Sequence, residues 1–182
     1  MEDFLAYLAQ FGELTSVHRG LVAQKTTRLH LRKGDYFQRS RAAVQRVGFV
    51  VEGVFRVCYL TATGEEVTHY FVEEQNMLIC LTGLEHPPQS APDSIVAHYV
   101  QAITDCQVLV ITAADLQVLS QTIPGWDAIT HKAIEQALSQ KMRRIIPMLG
   151  QNGTTRYTSF LRSFPCLANR VPLAYLASLT WA

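Results

Sequence analysis

The sequence predicts an α+β protein in which an antiparallel sandwich or barrel of short strands is followed by helices. Up to about residue 112, short segments alternate between apolar and polar residues and are separated by turn signals, which is typical of antiparallel strands. After residue 112, apolar residues recur at helical spacing. Hydrophobic residues make up 48% of the 182 residues, which is enough for a buried core.

The elements before residue 112 follow in order. An N-terminal helical region with a break at Gly12 is predicted from the spacing of Phe4, Leu5, Leu8, Phe11 and Leu14. Strands are predicted at residues 26–32, 45–52, 54–60, 65–73, 95–104 and 107–112. Gly53 joins two of these strands in a hairpin, because glycine adopts a positive φ at little cost.

The helices after residue 112 carry their own start and stop signals. Thr112 and Asp115 have the spacing of a capping box, which predicts a helix over the following residues. Pro124 fits the first turn of a longer helix that ends or kinks at Pro147. Gly150, Asn152 and Gly153 predict a linker, and two shorter helices follow at residues 154–164 and 173–182.

Composition excludes several classes of protein. No apolar run approaches the roughly 18–20 residues that span a bilayer, and the first residues, with two acids, do not resemble a secretory signal. The four cysteines form no CxxC pair, which argues against a disulfide framework and predicts a cytoplasmic protein. No Ser-His-Asp setting, phosphate loop, paired carboxylates or cupin-type His-x-His metal motif is present, so we expect no enzyme.

The charges are distributed unevenly along the chain. Residues 57–131 hold nine acids and no Lys or Arg, whereas residues 136–182 hold six bases and no acid. A basic end of this kind favours a polyanion as partner, although solvated surface is the simpler alternative.

Three segments together resemble the Crp/Fnr family of bacterial transcription regulators. They are RKGDYF (32–37), VVEGVFRVCYLTATGEEVTHYF (50–71) and RYTSFLRSFPCLANRVPLAYLAS (156–178). The resemblance implies a cyclic-nucleotide-binding-like antiparallel β-roll, which is a double-stranded β-helix, followed by a long dimerisation helix and a partial winged-helix or helix-turn-helix domain. The implied division is a sensor roll with N-terminal helices at 1–123, the dimerisation helix at 124–149, and an incomplete DNA-binding domain at 150–182.

The resemblance places the effector clamp between Glu74 and about Ala97. The family holds the phosphate of a cyclic nucleotide with backbone N–H groups, a Gly-Glu pair and an Arg followed by a small residue. This stretch has no Gly-Glu pair and no Arg or Lys. Burying a phosphate without a cation costs about several kcal/mol, so we expect no response to cAMP.

The same stretch supplies the candidate lining of an effector pocket. Its soft apolar residues suit an unknown small, uncharged or hydrophobic effector: Met77, Leu78, Cys80 and Leu81. The alternative is that they fill a collapsed pocket as core. The acidic surroundings argue against a reactive Cys80, and no cofactor or metal is predicted because the cysteine cluster of an iron–sulfur form is missing.

An apolar stripe on the long helix is the candidate dimer contact. Its members are Trp126, Ile129, Ala133, Ala137, Leu138, Ile145 and Ile146. The resemblance implies a homodimer, and the alternative is that the stripe packs on the chain's own roll.

The resemblance also assigns DNA contacts to the basic end. The candidate phosphate contacts are Arg156, Arg162 and Arg170. The recognition helix that would read bases is absent from this sequence, so we expect weak DNA binding that is indifferent to base sequence. The predicted function is a Crp/Fnr-like transcription regulator, and the alternative is a ligand-binding or protein-interaction module that has lost DNA binding.

Overall fold

The computed structural model describes residues 1–39, 46–61, 63–79, 95–145, 151–167 and 169–177. Two helices open the chain, α1 (Glu2–Ala9) and α2 (Ser16–Gln24). Eight strands follow: β1 (Thr27–Leu31), β2 (Tyr36–Arg39), β3 (Arg46–Glu52), β4 (Phe55–Thr61), β5 (Glu66–Val72), β6 (Met77–Leu78), β7 (Ile95–Ala102) and β8 (Cys106–Thr112). The chain continues with α3 (Ala113–Thr122), α4 (Trp126–Ile145), α5 (Gly153–Ser163) and α6 (Leu173–Ala177).

The strands form two four-stranded antiparallel sheets, which confirms the predicted fold class. The first sheet has the order β1-β8-β3-β6 and the second has the order β2-β7-β4-β5. Side chains from both sheets share one buried cluster, which includes Phe37, Val50, Phe55, Val100 and Val108. Because alternate residues of a strand point to opposite faces, the other half of each strand faces away from this core.

The hairpin at Gly53 is fixed by close packing as well as by conformation. Gly53 has φ +100°, and a Cβ there would lie 2.4 Å from the Cys106 sulfur and 2.6 Å from the Asp105 carbonyl oxygen. Any larger residue would therefore meet both a left-handed backbone and a clash with Asp105 and with Cys106, the first residue of β8.

The outer face of the first sheet is covered by the N-terminal helices, α3 and α4. Phe4 and Leu8 of α1 pack with Phe49 and Leu109 of the sheet and with Trp126 of α4 in one buried cluster. Thr112 caps α3 as predicted, since its hydroxyl oxygen accepts the Asp115 backbone N–H at 3.1 Å.

The C-terminal helices pack against one end of the second sheet. Val54, Phe71 and Ile103 of the roll share a buried cluster with four residues of the C-terminal part, which are Phe160, Phe164, Leu167 and Val171. In the described residues, α5 and α6 therefore lie on the roll rather than apart from it.

The structure differs from the sequence predictions in short elements and at helix ends. Strands β2 and β6 were not predicted, because four and two residues are too few for a periodicity. Helix α4 begins at Trp126 rather than at Pro124, since Gly125 has φ +76°. The predicted end at Pro147 lies outside the described residues. No helix in the part of the chain that the structure describes has the length and apolar character needed to cross a bilayer.

Candidate functional site

The predicted pocket residues Met77 and Leu78 are buried on opposite faces of β6. Met77 is 5% exposed and belongs to the cluster beneath the helices, whereas Leu78 is fully buried between the two sheets. Neighbouring residues of one strand cannot line the same cavity wall, so these two act as core residues in the structure. Cys80 and Leu81 lie outside the described residues, and the effector pocket stays a prediction.

The described cysteines of the roll are poor nucleophiles. Burial raises the pKa of Cys58 to about 11, and it also raises the pKa of Cys106. Both thiols are therefore protonated at neutral pH and unreactive. Cys166, between α5 and α6, is exposed.

The long helix α4 turns most of its predicted stripe toward its own chain. Four of the stripe residues are between 1% and 4% exposed within one protomer: Trp126, Ile129, Ala133 and Ala137. These four side chains are already buried within one protomer, which agrees with the alternative that the stripe packs on the chain's own roll. Leu138 is only half-buried, and nothing is described of the Ile145 side chain or of Ile146.

A different face of α4 remains open to solvent. Met142 is 41% exposed and Leu138 is half-buried. Positions 138 and 142 are four residues apart and so lie on one side of the helix. Dimerisation through α4 stays a prediction, and this pair is part of the apolar surface that α4 offers for it.

One base of the predicted polyanion-binding end packs on the roll. The Lys141 ammonium lies 4.5 Å from the centroid of the Tyr70 ring, a cation–π contact between α4 and β5. Burial, together with the nearby Lys141 charge, lowers the pKa of His69, so this imidazole is neutral at pH 7.

The three predicted phosphate contacts lie in three different environments. Arg162 is exposed on α5. Arg156 is half-buried, and its Nη2 donates to the Gln151 carbonyl oxygen at 2.8 Å. Arg170 precedes α6 and is bound by a carboxylate of the roll. The structure therefore leaves Arg162 as the most accessible of the three cations.

Glu74 binds Arg170 through both carboxylate oxygens. The distances are 3.0 Å from Nη1 to Oε2 and 2.5 Å from Nη2 to Oε1. Glu74 Oε1 also accepts the Gly53 backbone N–H at 2.8 Å. Burial alone raises the pKa of Glu74, but the hydrogen bonds from Arg170 and Gly53 outweigh it and hold the pKa below its usual value. The reciprocal bonds raise the pKa of Arg170.

A second polar contact joins α6 to the roll at Arg56. This residue is 2% exposed on β4, and its guanidinium carbon lies 3.9 Å from the centroid of the Tyr175 ring. Its Nη2 donates to Glu66 at 2.6 Å and to Gln101 at 2.9 Å. The buried charge is therefore paired, hydrogen-bonded and covered by an aromatic ring from α6.

Sequence reasoning missed this set of contacts, although one signal was available. Arg56 stands inside the apolar strand VFRVCYL, and a charge at such a position requires a buried partner. Nothing local in the sequence indicated that Glu74 and Tyr175 would be close to the same end of the sheet.

The described residues contain no group of three or more His, Cys, Asp or Glu side chains able to hold a metal ion. No protein-family model matches the sequence, and no curated protein is similar to it in sequence. Comparison with solved structures gives clear similarities in fold.

A protein from Eubacterium rectale, described as a Crp/Fnr-family transcriptional regulator, superposes with a TM-score of 0.68 at 17% identity, over 91% of this chain and 76% of that one. The chain has the fold of the Crp/Fnr regulators. A cyclic nucleotide-binding domain containing protein from Listeria monocytogenes gives 0.61 at 16% identity, over 90% and 81% of the two chains. FixK2 from Bradyrhizobium japonicum gives 0.58 at 19% identity, over 85% and 76%. The resemblance predicted from the sequence is thus confirmed at the level of the fold.

Proposed function

We propose that this protein is a Crp/Fnr-type transcription regulator, in which the β-roll senses an effector and α5 and α6 belong to the part that contacts DNA. One observation carries the proposal. The similarity to the Eubacterium rectale protein extends over 91% of this chain, so it reaches beyond the roll into the helices that follow it. A sensor roll alone would account for a smaller share of the chain.

The proposed effector is not a cyclic nucleotide. The stretch from Glu74 to Ala97 contains no Arg or Lys, whereas a bound phosphate requires charge-assisted hydrogen bonds. An uncharged or hydrophobic small molecule fits this composition better.

The proposed DNA binding rests on phosphate contacts. Such contacts alone give dissociation constants of about 10⁻⁴–10⁻⁶ M at physiological salt, with little dependence on base sequence. Arg162 is exposed and free of the intramolecular ion pair that holds Arg170, so we propose Arg162 as the principal contact.

Fluorescence anisotropy on random-sequence and selected duplexes, measured across a salt series, tests this proposal. Arg162→Ala should weaken binding to all duplexes by a similar factor, about twofold to fivefold. The slope of the logarithm of the binding constant against the logarithm of the salt concentration (the salt slope) should become less steep by about 0.9. Arg28→Ala is the matched control, because it removes the same charge from β1. This strand belongs to the first sheet, whereas α5 and α6 pack on the second, so the affinity should stay within about twofold.

The alternative is a ligand-binding or protein-interaction module that has lost DNA binding. It is favoured by one observation: Arg170, a predicted phosphate contact, is bound by Glu74. No measurable binding to any duplex at low salt would support this alternative. A site preferred about a thousandfold over random DNA would contradict our claim that binding ignores sequence.

A further inference from the structure

We propose that Glu74 takes the place of a DNA phosphate on Arg170 and so acts as an internal competitor that holds the C-terminal helices in a state of low DNA affinity. The proposal rests on the proposed function, because it requires that Arg170 contacts DNA when it is released. In the docked state, the contact between Glu74 of the roll and Arg170 decreases DNA binding.

The geometry of the pair matches the way a guanidinium binds a phosphate. Two nitrogens of Arg170 meet the two carboxylate oxygens of Glu74 at 3.0 and 2.5 Å. A guanidinium presents the same fork to a phosphate, so one Arg170 side chain cannot serve both anions at once. Both side chains are about one third exposed, at 33% and 31%, so a phosphate can approach the pair from solvent.

Glu74 is held ready for this role by the roll. Its Oε1 accepts the Gly53 backbone N–H at 2.8 Å, which ties the carboxylate to the β3–β4 turn. The carboxylate therefore stays at a fixed position on the roll when Arg170 leaves. A fixed competitor loses less conformational entropy on binding than a free side chain does.

The surrounding contacts make the docked position a defined state. Tyr175 of α6 covers the buried Arg56, and Phe160, Phe164 and Leu167 share a buried cluster with Phe71 of the roll. These contacts keep Arg170 near Glu74 in the docked state. DNA shifts the equilibrium between the docked and the released C-terminal helices only if it binds the two states with different affinity. Arg170 supplies this difference, because its guanidinium can bind a phosphate only when Glu74 has released it.

The test compares the unchanged chain with Glu74→Gln and with the double variant Glu74→Gln/Arg170→Ala. Glutamine keeps an oxygen for the Gly53 N–H but removes the charge that competes with phosphate. We expect Glu74→Gln to raise affinity for a random duplex about threefold to fivefold and to make the salt slope steeper by about 0.9. The double variant should show no such gain. Glu52→Gln is the charge-matched control, since the Glu52 carboxylate accepts a hydrogen bond from Gln107 rather than from Arg170. Loss of the Glu52 charge should change the affinity for DNA by less than about twofold.

Hydrogen exchange without DNA separates the two proposals. Backbone amides of α5 and α6 should exchange faster in Glu74→Gln, and equally so in Arg170→Gln, which breaks the same pair from the other side. Unchanged exchange in both variants overturns the competitor while leaving the proposed function intact. Faster exchange with unchanged DNA affinity shows that Arg170 is not a DNA contact, and it also overturns the competitor. Absence of DNA binding in every variant overturns the proposed function and the competitor together.

Discussion

The ring of Tyr175 lies over the guanidinium of Arg56, 3.9 Å from ring centroid to guanidinium carbon. Arg56 belongs to β4 of the roll and Tyr175 to α6, so the contact joins two parts of the chain that are far apart in sequence. Because Arg56 is 2% exposed, α6 shields a charge that would otherwise have to be solvated at the sheet surface.

Loss of the Tyr175 ring should destabilise the protein. We expect Tyr175→Ala to lower the free energy of unfolding by about 1–2 kcal/mol, because the buried guanidinium loses its aromatic cover. Urea denaturation followed by circular dichroism measures this. Tyr175→Phe keeps the ring and should retain most of the stability, and Leu173→Ala, at a side chain that is 69% exposed, should change it by less than about 0.5 kcal/mol. An equal loss in Tyr175→Phe would show that the hydroxyl, and not the ring, makes the contact.

Two substitutions on α4 should separate internal packing from subunit contact. Ala133 is 1% exposed, so Ala133→Asp buries a charge and should cost about 3 kcal/mol or more of stability. Met142→Asp lies on the exposed face and should leave the monomer folded while it weakens a dimer. Light scattering over a concentration series, with a melting curve for each variant, checks both. An unchanged chain that is monomeric at the highest concentration would disprove dimerisation through this face.

The Glu74–Arg170 pair should make stability depend on acid pH. The pKa of Glu74 is lower in the folded chain than its ordinary value, because the hydrogen bonds from Arg170 and Gly53 outweigh burial. The pair therefore contributes full stability above the unfolded-state pKa, and this contribution is lost as the pH falls through the lower folded-state pKa. Denaturant midpoints measured from about pH 6 down to about pH 3 should fall less steeply in Glu74→Gln than in the unchanged chain. Parallel curves for the two proteins would contradict the shift.

Cyclic nucleotides should not stabilise the protein. A ligand present at about 100 times its dissociation constant adds about 2.7 kcal/mol to the folded state, which a melting curve detects readily. We expect no such change with cAMP or cGMP at about millimolar concentration, since the predicted clamp region has no Arg or Lys. Micromolar binding of either nucleotide by calorimetry would refute this prediction.

The local features of the fold could be predicted from the sequence because each depends on neighbouring residues. Alternation predicted β1, β3, β4, β5, β7 and β8, and the Thr112–Asp115 spacing predicted the cap of α3. Gly53 predicted its hairpin, because a positive φ is a property of one residue. The order of these elements, together with the resemblance, was sufficient to predict the class of fold.

The candidate site depended on contacts between distant residues, which only the tertiary structure decided. Periodicity showed that α4 has an apolar stripe, but it does not say whether that stripe meets its own roll or a second chain; the structure turns Ala133 and Ala137 inward. Met77 and Leu78 are adjacent in sequence yet belong to different cores, because the pleat of β6 sends them to opposite faces. The charge count showed a basic end and an acidic middle, whereas the meeting of Arg170 with Glu74 follows from the way α5 and α6 pack on the roll. An ion pair between distant residues leaves no periodic pattern in a sequence, since chain folding alone brings its two charges together.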